Sequence, residues 1–222
     1  MATVKGDSWR RNPLFGLLAI VFSIGVAGFA ALIAALLVYP AFVRWDEHLS
    51  QVFSEIDGPG IEEFFRALTH VGDTWIMVGL VAVGSVYLLA RRMHLEALLL
   101  TATVGLGAVL GWVFKVLVQR ARPGLEYAHV PLPDSYSFPS GHALATFLFF
   151  GIVVFLMTLN ARSPWVRYGV TVLCIGLAVL VAVSRVYLGV HWFGDIIASW
   201  MLGSAWMVVA VAVYFRYSPG RS

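Results

Sequence analysis

One cysteine, Cys174, occurs in 222 residues. No internal disulfide can form, and the cysteine-dense secreted scaffolds are excluded. Cys174 has no ligating companions nearby and lies in an apolar run, where packing is its expected use. Charge is scarce as well: Asp, Glu, Lys and Arg make up 12% of the chain against 60% hydrophobic residues. Soluble domains carry about 25% charged and about 45–50% apolar residues. A soluble chain of this make-up could not cover its own surface, so a bilayer must be the solvent for much of it. Basic stripes interleaved with aromatics are missing, which argues against a nucleic-acid partner. Strand-like alternation is missing too, which argues against a β-barrel. Outside the motifs below, His48, His70 and His94 have no third partner at metal-ligand spacing. There is no internal repeat, linker or low-complexity tract, and nothing implies an obligate protein partner.

What the chain does have is long apolar runs bounded by charges and turn residues. They predict an all-α polytopic membrane protein, a single membrane-embedded domain over 1–222. Its six transmembrane helices fall near 14–42, 75–90, 96–118, 143–159, 166–183 and 194–215. The second and fourth are short for a crossing and are expected to extend into flanking residues such as Thr69 to Thr74 and Phe138 to His142. Lys5, Arg10 and Arg11 precede the first run, as in a secretory signal. The uncharged stretch from Asn12 to Val43 far exceeds the roughly 7–15 residues of a signal core, so it reads as an uncleaved helix.

Lysine and arginine set the expected orientation. One set of helix ends carries Lys5, Arg10, Arg11, Arg91, Arg92, Arg162, Arg167, Arg216 and Arg221; the opposite set carries Arg44, Arg66, Lys115, Arg120, Arg122 and Arg185. The first set is richer, so both termini are expected in the cytoplasm, with the protein in the cell inner (plasma) membrane. The net charge of +3 fits loop arginines facing anionic lipid. Residues 44–74 form the longest loop, on the extracytoplasmic side. Leu49, Val52, Phe53 and Ile56, then Ile61, Phe64, Phe65 and Leu68, recur there at helical spacing around Gly58-Pro59-Gly60. Two short amphipathic helices on the membrane surface are expected, as a cap without chemistry in preference to a substrate-gating lid. Gly107 and Gly111 are spaced for close helix contact inside the bundle. Trp45, Trp75, Trp112, Trp165 and Trp192 fall near span ends, as in an aromatic belt.

Three segments depart from this apolar background. They are Lys115 with Arg122-Pro123, Pro139-Ser140-Gly141-His142, and Ser184-Arg185 with His191 and Asp195. All fall at the extracytoplasmic ends of spans, and ionisable groups in such places are expensive and usually functional. Hydrolysis of a phosphate ester needs its anionic oxygens neutralised, an in-line nucleophile, and a proton for the leaving oxygen. Lys115, Arg122 and Arg185 supply the cations; the two guanidinium groups can each fork two hydrogen bonds onto phosphate. Seven residues separate Lys115 from Arg122, which on a helix places them on one face, with Pro123 ending the helix.

Ser140 and Gly141 open a helix whose free N–H groups attract anions; Gly141 admits close backbone approach and Ser140 adds a hydroxyl. His142 can protonate the leaving oxygen. His191 and Asp195, at i,i+4, share a helix face. The carboxylate fixes the imidazole tautomer and frees the other nitrogen to attack phosphorus. Each segment alone has an ordinary explanation: a turn before a helix, a structural His–Asp pair, or interfacial anchors. Their coincidence on one side of the membrane does not. Arg120, Glu126, His129 and Asp134 lie in or near the loop between the first two segments and read as solvated, with a part in headgroup choice as the alternative.

The three segments together resemble the signature of the type 2 phosphatidic acid phosphatase superfamily, with no departure in residue type or spacing over about eighty residues. The resemblance implies a bacterial membrane lipid phosphatase that needs no metal or other cofactor and is inhibited by vanadate. It implies phosphate binding by Lys115, Arg122, Ser140, Gly141 and Arg185, with His142 as acid, His191 as nucleophile through a phosphohistidine, and Asp195 as its orienter. The superfamily also holds soluble vanadium haloperoxidases, which the hydropathy of this chain disfavours. The expected substrate is a lipid phosphate met in the bilayer, undecaprenyl diphosphate first. Phosphatidylglycerol phosphate, phosphatidic acid and lipid A phosphates are the alternatives. A phosphotransferase and a non-catalytic lipid-phosphate binder are further readings.

Overall fold

In a computed structural model the chain is described over residues 13–56 and 58–218, the first three of these by backbone alone. Lys5, Arg10, Arg11, Asn12 and Arg221, used in the sequence reading, lie outside those residues. The described residues hold helices and no strand: α1 (Pro13–Val38), α2 (Pro40–Ser54), α3 (Ile61–Thr69), α4 (Thr74–Ala90), α5 (His94–Val118), α6 (Gly141–Asn160), α7 (Pro164–Tyr187) and α8 (Phe193–Tyr217). Five of them (α1, α5, α6, α7 and α8) are long and apolar enough to cross a membrane. A bent pair, Ile61–Gly72 with Thr74–Ala90, makes a sixth.

The fifth crossing runs on to Tyr187 rather than 183, which places Arg185 inside its last turn, and two other crossings also differ from the sequence reading. The first crossing stops at Val38 rather than continuing to 42, because Pro40 lacks an N–H and starts α2 as its first residue. The second crossing is broken. α4 alone, at 17 residues, spans about 25 Å of rise, short of a hydrocarbon core. Helix α3 and a 3-10 turn at His70–Gly72 extend it across a 51° bend whose corner is Asp73.

The core is formed by α6, which packs against α5, α7 and α8. Leu144, Leu148, Ile152 and Leu156 on α6 meet Leu100 and Val104 on α5, with Cys174 and Ala178 on α7. Cys174 is thus a packing residue. Gly107 and Gly111 take the part expected of them: a methyl at Gly111 would lie 2.9 Å from Leu144, and one at Gly107 would overlap Leu148. α1 lies along α8 through Gly25 and Gly28, where added methyls would press on Met201 at 2.9 Å.

The two loop helices exist, but α2 buries a mixed face rather than a purely apolar one. Its buried residues are Asp46 and Ser50, and Phe53 packs against Ala143 and Ile196, while Val52, and Ile56 just beyond the helix, face outward. Asp46, an ionisable group beside lipid, has to find its partner inside the protein. α3 keeps Ile61 and Phe65 against Tyr187, Leu188 and Val190. Trp45, Trp75, Trp112 and Trp165 are largely exposed, as a belt requires. Trp192 instead donates its indole N–H to the Ala121 carbonyl at 2.9 Å, so it braces the site.

Candidate active site

All three motif segments converge at one end of the bundle: the C-terminal end of α5, the N-terminal end of α6, and the α7–α8 turn. Lys115 and Arg122 do not share a helix face as their spacing suggested. Gln119 takes a left-handed conformation (φ 51°) and ends α5 after Val118, so Arg122 lies on extended chain and shares no helix face with Lys115. The segment folds back on itself instead. Ser137 donates its N–H to Arg120 O (2.8 Å) and its hydroxyl to Ala121 O (2.9 Å). Arg122 is then clamped: Nε donates to Ser135 O at 2.7 Å, Nη2 to Ser135 Oγ at 3.0 Å, and Nη1 to Val190 O at 2.5 Å. Lys115 Nζ donates to Tyr136 O at 2.5 Å. Both cations are therefore held by backbone carbonyls, which hold them in place and leave their charge unneutralised.

Helix α6 begins at Gly141. Ser140, its N-cap, is fully buried, and Oγ accepts the Ala143 N–H at 3.5 Å, which leaves the hydroxyl proton free to donate. Gly141 is exposed, and a methyl there would meet nothing within 4 Å. Backbone strain does not require a glycine at 141; open space in front of its N–H does more to explain it. Arg185, 6% exposed at the end of α7, donates from Nη1 to Thr69 Oγ1 at 2.5 Å. Its Nε is buried and has no hydrogen-bond partner among the described residues. Buried donors are nearly always satisfied, and an anionic oxygen at the site would satisfy this one.

His191 lies in the turn before α8, so it and Asp195 do not share a helical face as the spacing suggested. Asp195 is the third residue of the helix and reaches back to accept the N–H of the N-cap residue Trp192 at 3.1 Å, as the acidic residue of a capping box does. The same Oδ2 lies 3.3 Å from His191 Nδ1. Gly189, at φ 66°, makes the turn, and a side chain there would overlap the Tyr127 carbonyl. His191 Nε2 faces Arg122 Nη1 at 3.4 Å. The imidazole is 3% exposed. Burial, then the charges of Arg185, Arg122 and Lys115, hold its pKa well below the ordinary 6.5. It is therefore neutral at physiological pH, with a lone pair available.

That shift has a consequence for stability. The native state keeps His191 neutral, while the unfolded chain takes up a proton below pH 6.5. The stabilisation is complete above about pH 6.5 and is lost as pH falls towards the folded value, at about 1.4 kcal/mol per pH unit from this group. Melting of the detergent-solubilised protein between pH 7 and 5 should fall more steeply for wild type than for His191→Asn. Parallel curves would show that His191 titrates alike in both states.

Several site residues were missed in the sequence reading, and all of them stand around the motif residues. Arg120, expected to be solvated, has a side chain only 12% exposed. It donates to Asp195 Oδ1 and to Asp46 Oδ2, each at 2.8 Å, and lies 5.3 Å above the Trp192 ring. Asp46 Oδ1 in turn accepts the Gly194 N–H at 2.8 Å. The loop expected to be a cap without chemistry therefore reaches the site three times: through Asp46, through Thr69 on Arg185, and through Asp73. Asp73 Oδ1 lies 2.9 Å from His142 Nε2. No local pattern in the sequence marks these pairings. The nearest thing to a signal is Asp195 itself, a buried carboxylate that would need a cation.

From Lys115, Gly141 and His142 an apolar cavity of about 700 Å³ runs between α4, α5 and α6, past Met77, Val81 and Val104 to Ser85 and Thr101. A cationic end and an apolar end thus adjoin.

The sequence pattern of the PAP2 superfamily matches residues 96–219, which contain every motif residue. Phosphatidylglycerophosphatase B of Bacillus subtilis is 28% identical over 182 residues, 79% of this chain and 86% of its own length. An undecaprenyl-diphosphatase of Sulfolobus acidocaldarius is 38% identical over 128 residues, 56% of this chain and 58% of that protein. A decaprenylphosphoryl-5-phosphoribose phosphatase of Mycobacterium tuberculosis is 30% identical over 67% of this chain and 78% of its own. Among solved structures, the transmembrane PAP2-type phosphatidylglycerolphosphate phosphatase of Bacillus subtilis superposes with a TM-score of 0.81 at 25% identity, covering 90% of this chain and 98% of that one.

Proposed function

Because the chain belongs to the PAP2 superfamily and is a multi-pass membrane lipid phosphatase, we propose that it hydrolyses undecaprenyl diphosphate to undecaprenyl phosphate. The reaction proceeds through a phosphohistidine on His191 and without a metal. The observation that carries the mechanism is the pairing of His191 Nδ1 with Asp195 while Nε2 faces Arg122. A nucleophile oriented in this way, beside donors for the phosphate oxygens, is the arrangement that covalent catalysis requires. His191 Nε2 attacks phosphorus, and Lys115, Arg122, Arg185, the Ser140 hydroxyl and the Gly141 N–H hold the equatorial oxygens. His142 gives a proton to the leaving oxygen. Water then attacks the phosphohistidine, and its proton returns to His142.

Two of the similar proteins are named for polyprenyl substrates, which supports the polyprenyl diphosphate reading. The longer match and the solved structure are to enzymes of phosphatidylglycerophosphate, which makes that lipid the second reading. The apolar cavity beside His142 suits a hydrocarbon tail of either kind. The balance of lysine and arginine supports a site facing away from the cytoplasm, in the plasma membrane, with both termini inside.

The test is phosphate release by purified, EDTA-treated protein in detergent micelles. The panel holds undecaprenyl diphosphate, phosphatidylglycerol phosphate, phosphatidic acid and a lipid A phosphate. Turnover that persists in EDTA and favours the polyprenyl diphosphate is the expected result. Preference for phosphatidylglycerol phosphate would replace the substrate, and loss of activity restored only by added metal would remove the mechanism.

A further inference from the structure

Asp73 occupies the N-cap position of α4, at the corner of the broken crossing. Aspartate is among the preferred residues there because its carboxylate accepts free helix N–H groups. Here it makes no such bond. Both oxygens are turned to imidazoles instead: Oδ1 to His142 Nε2 at 2.9 Å and Oδ2 to His70 Nδ1 at 2.6 Å. His142 is partly buried and His70 is 65% exposed. The bend presents the carboxylate to α6, and Gly72 makes the approach possible, since a methyl there would lie 2.7 Å from Cδ2 of the His142 ring.

We infer that Asp73 is the positioning residue of His142: by accepting the Nε2–H it fixes the ring and assigns Nδ1 to the leaving oxygen. The inference rests on the reading of His142 as general acid. As His191 Nε2 forms its bond to phosphorus, the phosphorus–ester oxygen bond breaks. The departing electron pair stays on the ester oxygen, which takes the proton from His142 Nδ1. The ring, now neutral, keeps its Nε2–H on Asp73. When water attacks, the phosphorus–nitrogen bond breaks and the proton from water goes to Nδ1, restoring the imidazolium. The carboxylate is never protonated; it stabilises the charged ring and holds one tautomer, as carboxylates paired with catalytic histidines do. His70, which is 65% exposed, holds the other oxygen of the carboxylate.

General acid catalysis matters in proportion to the basicity of the leaving group, which gives a readout that a merely structural aspartate would not move. Phosphatidic acid expels an alkoxide and p-nitrophenyl phosphate a weakly basic phenolate. Asp73→Asn should lower kcat/KM on phosphatidic acid by about 10²-fold, within the range ascribed to acid catalysis. On p-nitrophenyl phosphate the loss should stay within about 3-fold, and that retained activity also shows that the variant is folded. In a His142→Ala background, Asp73→Asn should cost nothing further on either substrate. Equal losses on both substrates, no loss on phosphatidic acid, or an added loss in the His142→Ala background would each overturn the assignment. His142→Ala alone tests the underlying reading separately: if it lowers both substrates equally, His142 is not the acid, whatever Asp73 does.

Discussion

His191→Ala should lose hydrolysis of every lipid phosphate by about 10⁴-fold or more, with most of the loss in kcat. The cradle proposed to bind the substrate loses only the 3.4 Å contact of Arg122 with this ring. Lys115 is tied to Tyr136, Arg122 to Ser135 and Val190, and Arg185 to Thr69, none of them through His191. Asp195 keeps Arg120 and the Trp192 N–H, so the variant leaves no unpaired buried carboxylate. The cost in stability should therefore stay within the ordinary range of about 1–3 kcal/mol. Chemistry is the link that breaks, because water would have to attack phosphorus with no activated nitrogen in its place. Wild type quenched during turnover of a ³²P-labelled lipid should carry acid-labile, base-stable label, and the variant none. Label of equal amount in His191→Ala would move the nucleophile elsewhere.

The second large effect is on the fold as much as the chemistry. Arg120 bridges Asp46 and Asp195, both fully buried, at 2.8 Å each. Arg120→Ala leaves two carboxylates facing each other with no cation, and breaking a buried pair this way costs about 3–5 kcal/mol. Burial already raises the Asp46 pKa above the ordinary 3.8 in spite of Arg120 and the Gly194 N–H. Removing the guanidinium raises it further. A raised carboxyl pKa contributes stability that is complete at low pH and is lost as pH rises through the folded value. Arg120→Ala should therefore melt far below wild type at pH 8 and recover part of the difference at pH 5. Asp46→Asn in the same background should recover part of it at pH 8. Arg120→Lys should rescue poorly, because an ammonium cannot fork between two carboxylates in fixed directions. A melting difference under about 1 kcal/mol for Arg120→Ala at pH 8 would mean the bridge is not what holds this end of the bundle.

How much of this was legible beforehand divides along a physical line. Hydropathy marks the crossings because each is a local run, and the motif residues stand out because ionisable groups are rare in such runs. Their convergence followed from counting helix ends. The local geometry did not follow. Lys115 and Arg122 are joined by a chain reversal at Gln119 rather than by a helix face, and seven-residue spacing cannot tell the two apart. His191 reaches Asp195 across a helix start for the same reason. Asp46, Thr69, Asp73 and Arg120 were passed over because each finds its partner between 69 and 148 residues away. An acidic loop looks solvated until its carboxylates are seen to turn inward. α2 misled in a second way, since its apolar stripe is split: Phe53 packs inward while Val52 faces out, and the buried face also holds Asp46 and Ser50.

The bond from Asp46 to the Gly194 N–H joins the second helix to the last. A chain growing from its N-terminus has made Lys115, Arg122 and Arg185 by the end of α7, but Val190, which clamps Arg122, and then His191 and Asp195 come only afterwards. Until α8 has entered the membrane and docked on α1 and α2, the proposed site lacks both its nucleophile and the clamp on Arg122. On the proposed mechanism, catalysis is thus the last property the protein acquires during biogenesis. Turnover in a membrane preparation therefore counts only molecules whose final helix has been inserted and seated.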